Sequence, residues 1–358
     1  MTSNGSRLRV HDSVPRDVWE QVLASDPAAN VHQSPAWLDA ITATGGYVDG
    51  SRLYEAPDDR LLIVPMVRRS GLSRLLPTME SMPAPWGTGG IIASDGDLRP
   101  DDVTAVLSDL RAATALRLRI RPENAALLPW EKAEMPTGIR VEAQVKSVVD
   151  LRGGFAEVFP RFKRAARAHI RKAERSELVV DSGCTPEYAR EYYRLYLAWV
   201  ERRARERGLP TSLMVRRAVR AEPLGKFLAV SEMLGPACRF WLARHEGEAV
   251  AAAITLVHGR HATYWRSFSH KTAAAPVSAN NLLQKHMIEH ACELGCESYN
   301  MGWSGTQPLL DYKRSFGAVT LDFPVYSYDR LNVPSIGSVA RRVAAPVVER
   351  GRRAPTGG

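Results

Sequence analysis

The sequence predicts an α/β (α+β) fold, and three observations carry the prediction. The second half alternates strand-like and helix-like patterns in a fixed order. A hairpin of the kind seen there recurs in the first half. At 358 residues with 45% hydrophobic residues, the chain is long enough for two substantial cores of an ordinary soluble globular protein.

In the second half, Phe240 to Arg244 and Ala249 to Val257 read as strands joined by the turn His245-Glu246-Gly247-Glu248. His261 to Ser269 alternates aromatic with small or polar residues, the period of a half-buried strand. This alternation puts Tyr264 and Arg266 on the face opposite Trp265. Ser278 or Asn280 can cap the next helix, in which Leu283, Met287, Ile288, Ala291 and Leu294 recur at helical spacing and Gly295 supplies the stop. Val319 to Tyr328 reads as a closing strand. Earlier, Ser34-Pro35 opens a helix through Trp37, Leu38 and Ile41 that stops at Gly45-Gly46, and Arg52 to Ala56 pairs with Leu61 to Arg69 around Pro57-Asp58-Asp59.

The run from Tyr299 to Gly317 is the expected substrate-binding segment. Gly302 and Gly305 frame Trp303 and Ser304, so the backbone can turn sharply and present an aromatic face. Pro308 suits the first turn of a helix that carries Tyr312, Lys313, Arg314 and Phe316 and ends at Gly317.

The formal net charge is +9, and it is concentrated. Between Pro160 and Ser176 lie Arg161, Lys163, Arg164, Arg167, Arg171, Lys172 and Arg175 against the single acid Glu174, which reads as one basic helix. Phe155, Phe159, Phe162, Ala166 and Ile170 fall at helix-like spacing and would anchor its other side. A second basic group follows at Arg202, Arg203, Arg205, Arg207, Arg216, Arg217 and Arg220. Two such clusters favour a polyanionic partner, with a solvated surface as the alternative.

Together these segments resemble the Fem-type (FemABX-like) aminoacyl- and peptidyltransferases of the GNAT acyltransferase superfamily. The resemblance rests on WLARHEGEAVAAAITL, TYWRSFS, ACELGCESYNMG and DYKRSFG, and extends to HQSPAWLDAI, PAPWGTGGII and LRLRIRPEN in the first half. It implies two tandem GNAT-like subdomains, each a mixed, mostly antiparallel sheet flanked by helices, over residues 1–145 and 146–330, with the acceptor in the cleft between them and a basic tail at 331–358. It also implies transfer of an amino acid from aminoacyl-tRNA, or an acyl group from acyl-CoA, onto an amine. Lys313 matches the family's lysine and would stabilise developing negative charge or the donor's terminal phosphate. Trp37, Trp86, Tyr264, Arg266, Asn300, Trp303, Tyr312 and Phe316 are the expected substrate-binding residues, and the seven cations at 161–175 the expected tRNA contacts.

Two departures narrow the reading. The glutamine/arginine-x-x-glycine-x-glycine phosphate loop of many coenzyme A-dependent relatives is absent, which leans toward tRNA. Leu38-Asp39-Ala40-Ile41 follows Trp37 where relatives acting on nucleotide-linked precursors place lysines, so a peptide or amino-bearing small molecule is at least as good an acceptor as a pyrophosphate-bearing one. No nucleophile elbow occurs, in keeping with direct transfer, and Asp311 or Glu297 could take the amine's proton. The four cysteines, Cys184, Cys238, Cys292 and Cys296, lack paired spacing, and the scattered histidines show no ligand pattern, so no metal and no cofactor beyond the co-substrate is expected. The start MTSNGSRLRV lacks a signal-peptide core and no apolar run could span a bilayer, which points to the cytoplasm. A non-catalytic nucleic-acid-binding protein is the remaining class; the glycine-aromatic loop beside Lys313 argues against it.

Overall fold

The computed structural model describes residues 8–70, 78–114, 116–123 and 127–330. The basic tail expected at 331–358 lies outside the described residues. The first half comprises β1 (Arg9–His11), α1 (Arg16–Ser25), α2 (Pro35–Ala43), β2 (Tyr47–Asp49), β3 (Arg52–Glu55), β4 (Leu61–Val64), β5 (Val67–Arg69), β6 (Thr78–Glu80), β7 (Ile92–Ala93), α3 (Pro100–Ala113), β8 (Arg117–Ile120) and α4 (Leu127–Lys132). The chain continues through β9 (Arg140–Asp150), α5 (Phe155–Val158), α6 (Arg164–Glu174), β10 (Val179–Gly183), α7 (Pro186–Glu206), α8 (Thr211–Ala221) and α9 (Leu224–Leu234). It closes with β11 (Cys238–His245), β12 (Glu248–His258), β13 (His261–Ser269), α10 (Lys271–Ala274), α11 (Ala279–Glu293), β14 (Ser298–Trp303), α12 (Gln307–Ser315) and β15 (Val319–Asp329).

The fold is mixed α/β with mostly antiparallel sheets flanked by helices. A sheet of eleven strands, in the order β10-β11-β12-β13-β14-β9-β15-β8-β6-β5-β2, runs through both halves, and four more strands form a small sheet, β1-β3-β4-β7. The parallel pairs are β13 with β14 and β6 with β8. Two strands of eleven residues stitch the halves together. β9 pairs with β14 through Lys146 to Asp150 and with β15 through Arg140 to Val148, while the last four residues of β15 pair with β8. A boundary drawn at 145/146 therefore falls inside β9.

Local chemistry explains most element ends. Ser34 Oγ accepts from the Trp37 amide and Pro35 occupies the first turn of α2, as its sequence dictates. Gly295 and Gly317 adopt positive φ where α11 and α12 stop. Two expectations change. The strand anticipated from Leu61 to Arg69 breaks after Val64, because Pro65 cannot donate to a ladder, and β5 joins the large sheet instead. The basic segment is not one helix: a 3-10 turn at Phe159–Arg161 and an extended Phe162 precede α6, so the fully buried Phe162 enters the core against Phe316 at a 5.1 Å centroid distance. Within α6 itself, Ala166, Ile170 and Ala173 are buried, as helical spacing requires. Cys238 and Cys296 are buried and all four cysteines are free thiols. No helix among the described residues is long and apolar enough to cross a membrane.

Candidate active site

A cavity of about 660 Å³ opens on one face of five neighbouring strands, β13-β14-β9-β15-β8, and is walled by the loop after β6. Thr263 to Arg266, Asn300, Gly302 and Trp303, Gln144 and Lys146, Phe323 and Val325, and Arg119 come from those strands in turn. Arg121 continues the β8 side, and His32, Pro85, Gly87 and Thr88 close the wall. Both halves contribute, which follows from β9 and β15 spanning them.

The split between β13 and β14 creates the opening. Their parallel pairing covers only His261 to Thr263 against Ser298 to Asn300, after which the strands diverge. A register shift between Asn300 and Trp303 also frees β14 from β9. The backbone released in this way is satisfied locally. Asn300 Oδ1 accepts from the Gly302 amide at 2.8 Å, and Lys313 Nζ donates to the carbonyls of Gly302 at 2.8 Å and Trp303 at 2.9 Å. Trp303 is 61% exposed at the rim. Lys313 is buried, and desolvation lowers its pKa to about 8. Its amine holds the rim from behind and does not line the cavity.

On the opposite wall, side chains far apart in sequence form a polar string. Lys146 Nζ donates to Glu123 Oε1 at 2.5 Å and stands 4.9 Å from the centre of the Phe323 ring. Thr88 Oγ1 donates to Glu123 Oε2 at 2.6 Å and lies 3.4 Å from His32 Nδ1. Because Thr88 gives its proton to the carboxylate, it faces His32 as an acceptor, which assigns the ring proton to Nδ1 and a lone pair to Nε2. Burial lowers the His32 pKa to about 4, so the ring is neutral at ordinary pH, and burial also lowers the pKa of Lys146. Gly87 shapes this wall: at φ +106° a Cβ there would lie 2.6 Å from His32 Nε2.

A third group locks the two halves. Lys226 Nζ lies 4.2 Å from the Trp86 ring centre and 5.2 Å from that of Trp265, and donates to the Pro85 carbonyl at 3.2 Å and Glu222 Oε1 at 3.3 Å. Arg266 donates to the same two acceptors, at 2.9 and 2.7 Å. Burial first, then Arg266, lowers the Lys226 pKa to about 7.

The expected substrate residues divide between lining and support. Tyr264, Arg266, Asn300 and Trp303 line the cavity. Trp37 is fully buried and donates its Nε1–H to the Trp86 carbonyl at 3.1 Å, so this edge-on pair supports the Pro85–Thr88 wall. Tyr312 donates to the Asn280 carbonyl at 3.1 Å, and Phe316 is fully buried. Arg266 is not on the face opposite Trp265. Ile254 pairs with Arg266 and Thr255 with Tyr264, so Trp265 is the extra residue of a bulge, and the guanidinium turns back to lie 5.4 Å from its ring centre. Asp311 is exposed with Gln307 donating to it, and Glu297 pairs with Arg260, both at the surface.

Of the basic segment, Arg161 donates to the carbonyls of Asp150, Arg152 and Glu157, and Arg167 reaches the Pro160 carbonyl at 3.4 Å. Lys163, Arg164, Arg171, Lys172 and Arg175 are exposed. The single acid, Glu174, is paired with Lys285 at 2.9 Å. This face starts directly on α12, for the Lys163 amide donates to the Ser315 carbonyl at 2.8 Å.

Sequence reasoning missed His32, Thr88, Arg119, Arg121, Glu123, Gln144, Lys146 and Lys226. His32, Thr88, Arg119, Arg121 and Glu123 fall inside the segments HQSPAWLDAI, PAPWGTGGII and LRLRIRPEN that carry the resemblance, but no local motif marks any of them within those segments, and Gln144, Lys146 and Lys226 lie outside them.

Residues 160–314 match the family described as acetyltransferase (GNAT) domain. Among solved structures, FemX superposes with a TM-score of 0.64 at 12% identity, covering 88% of this chain and 96% of that one. The chain shares its tandem GNAT fold with FemX. A tandem GNAT protein from the clavulanic acid biosynthesis pathway matches with a TM-score of 0.51 at 13% identity, covering 92% of this chain and all of that one. The C-terminal domain of a putative lysylphosphatidylglycerol synthetase from Agrobacterium fabrum matches with a TM-score of 0.50 at 14% identity, covering 92% and 96%. No curated protein matches in sequence. The fold is thus of the GNAT type.

Proposed function

We propose that this protein is an aminoacyltransferase that moves an amino acid from aminoacyl-tRNA to the amine of a peptide or small-molecule acceptor, in cell-wall or natural-product assembly. The observation that carries the reading is that α12 is fixed to both elements: its Lys313 holds the carbonyl of the exposed Trp303, and its Ser315 carbonyl accepts from the Lys163 amide where the exposed cationic α6 begins. An aminoacyl ester is already activated, so the enzyme has chiefly to orient an amine against its carbonyl. Attack forms the N–C bond, collapse breaks the ester C–O bond, and the released hydroxyl is the tRNA's own. We assign the amine's proton to the Glu123 carboxylate, reached through Thr88 on the cavity wall, since His32 Nε2 is buried and its pKa of about 4 keeps the ring neutral. Trp303 offers a stacking face for the terminal base, and the α6 cations neutralise phosphates without reading sequence. Lys313 is a positioning residue that fixes the carbonyls of Gly302 and Trp303. Charged tRNA is met in the cytoplasm, where this reading places the protein.

A second reading, acyl-CoA-dependent N-acylation, is favoured by one observation. Ser278 at the head of the fifteen-residue α11 makes no side-chain capping bond, so this helix start, which follows β13 and the short α10, offers amide donors suited to a pyrophosphate. Incubation with labelled aminoacyl-tRNA or acetyl-CoA in the presence of amines separates the two. Acyl loss from tRNA that ribonuclease abolishes is the expected result; loss from acetyl-CoA alone would establish the second reading, and loss from neither would overturn both.

A further inference from the structure

Arg117, Arg119 and Arg121 alternate along one face of β8 and its continuation, while Leu118 and Ile120 are fully buried on the other. Arg117 pairs with Asp329 at 2.7 Å. Arg121 donates to the Met82 carbonyl at 2.5 Å and stands 3.7 Å from Glu80. Between them, the Arg119 guanidinium has no ion-pair or hydrogen-bond partner among the described residues, although its Nε is buried. The other cations of the cavity are matched, Lys146 by Glu123 and Arg266 by Glu222.

Resting on the acyltransfer reading above, we propose that the acceptor is a short peptide with a free carboxylate, and that Arg119 binds this carboxylate at the end of the cavity opposite Trp303. One unmatched positive charge suits a carboxylate monoanion better than a phosphate dianion, and the planar fork of a guanidinium takes both carboxylate oxygens. The sheet sets the ruler. From β8 across β15 and β9 to β14 is three strand spacings, about 14 Å. An extended chain covers about 3.4 Å per residue, so once the reach of the Arg119 side chain is allowed for, two or three residues fit between it and the rim. Phe323 and Val325 floor this span and accept apolar side chains.

Titration calorimetry on the full chain with a panel of di- and tripeptides, each as free acid and as C-terminal amide, tests the assignment. The acids are expected to bind at least about tenfold tighter than their amides. That preference disappears in Arg119→Gln, survives in part in Arg119→Lys, and is intact in the exposed control Arg190→Gln, with thermal melts confirming that each variant is folded. Equal binding of acids and amides, binding of neither, or a preference that survives Arg119→Gln would overturn the carboxylate assignment. Acyl transfer to peptide amides, measured in parallel, is independent of Arg119 and reports on the acyltransfer reading by itself.

Discussion

Replacing Lys313 by Met removes the one amine that ties down the cavity rim, and the structure lets the consequence be sized. Two charge-assisted hydrogen bonds to the carbonyls of Gly302 and Trp303 contribute about 1.5–3 kcal/mol each. Against them stands desolvation of the ammonium, which lowers its pKa from 10.5 to about 8 and costs about 3.4 kcal/mol. The two nearly offset each other, so Lys313→Met should lose only about 0–3 kcal/mol, seen as a fall in Tm of at most about 10 °C. Turnover should drop about a hundredfold, because a rim displaced by an ångström no longer presents the donor correctly. The same lysine gives a pH signature. With its folded pKa depressed, the unfolded chain binds more protons between about pH 8 and 10.5, so this group makes wild-type stability rise with pH across that window. Lys313→Met should lack that rise. Undiminished turnover in a folded Lys313→Met protein would refute the reasoning, and so would a melt showing that the protein has unfolded outright.

Trp303→Ala removes a largely exposed ring, so Tm should move by no more than the equivalent of about 0.5 kcal/mol while donor use falls; a single-turnover assay beside a melt checks both. Changing Arg164, Arg171, Lys172 and Arg175 together to Ala should weaken tRNA binding and flatten its salt dependence by up to about 0.9 in log–log slope per lost phosphate contact, measured by filter binding across a salt series; an unchanged slope would remove α6 from the interface. Lys226 has its pKa lowered to about 7, so it too adds stability as pH rises from about 7 to 10.5, and Lys226→Met should flatten the Tm–pH curve in that range. Gly87→Ala should destabilise the fold by about 1–3 kcal/mol in chemical denaturation, since the new Cβ meets the His32 ring at a backbone angle that L-residues avoid.

How much of this could be read from the chain depends on whether the deciding interaction is local. The hairpin of β11 and β12, the helix α11 with its glycine stop and the loop carrying Trp303 are short-range patterns of periodicity and turn residues, and they stand where the sequence places them, although Ser278 makes no side-chain cap on α11. The failures come where tertiary pairing outweighs alternation. A period of two puts Arg266 opposite Trp265, yet the ladder to β12 accommodates one residue too many, and the bulge delivers Arg266 to the Lys226 cluster instead.

The cavity wall lay beyond sequence reasoning for a deeper reason. His32, Thr88, Glu123 and Lys146 come from four separate segments, and each alone is unremarkable: a histidine before a helix, a loop threonine, an acid after a strand, a lysine in one. They meet because β9 and β15 are long enough to run through both halves and carry Lys146 to Glu123 just after β8, the carboxylate that Thr88 also reaches from the loop after β6. Arg119 shows the same logic inverted. In sequence it is the middle of three alternating arginines, indistinguishable from its neighbours; only the fold supplies Asp329 to one and Glu80 to another and leaves the central one facing the cavity. Placing a cation in a half-buried position without a counter-ion incurs a desolvation cost that packing does not recover, so the stable place for that charge is a site where a ligand completes the pair.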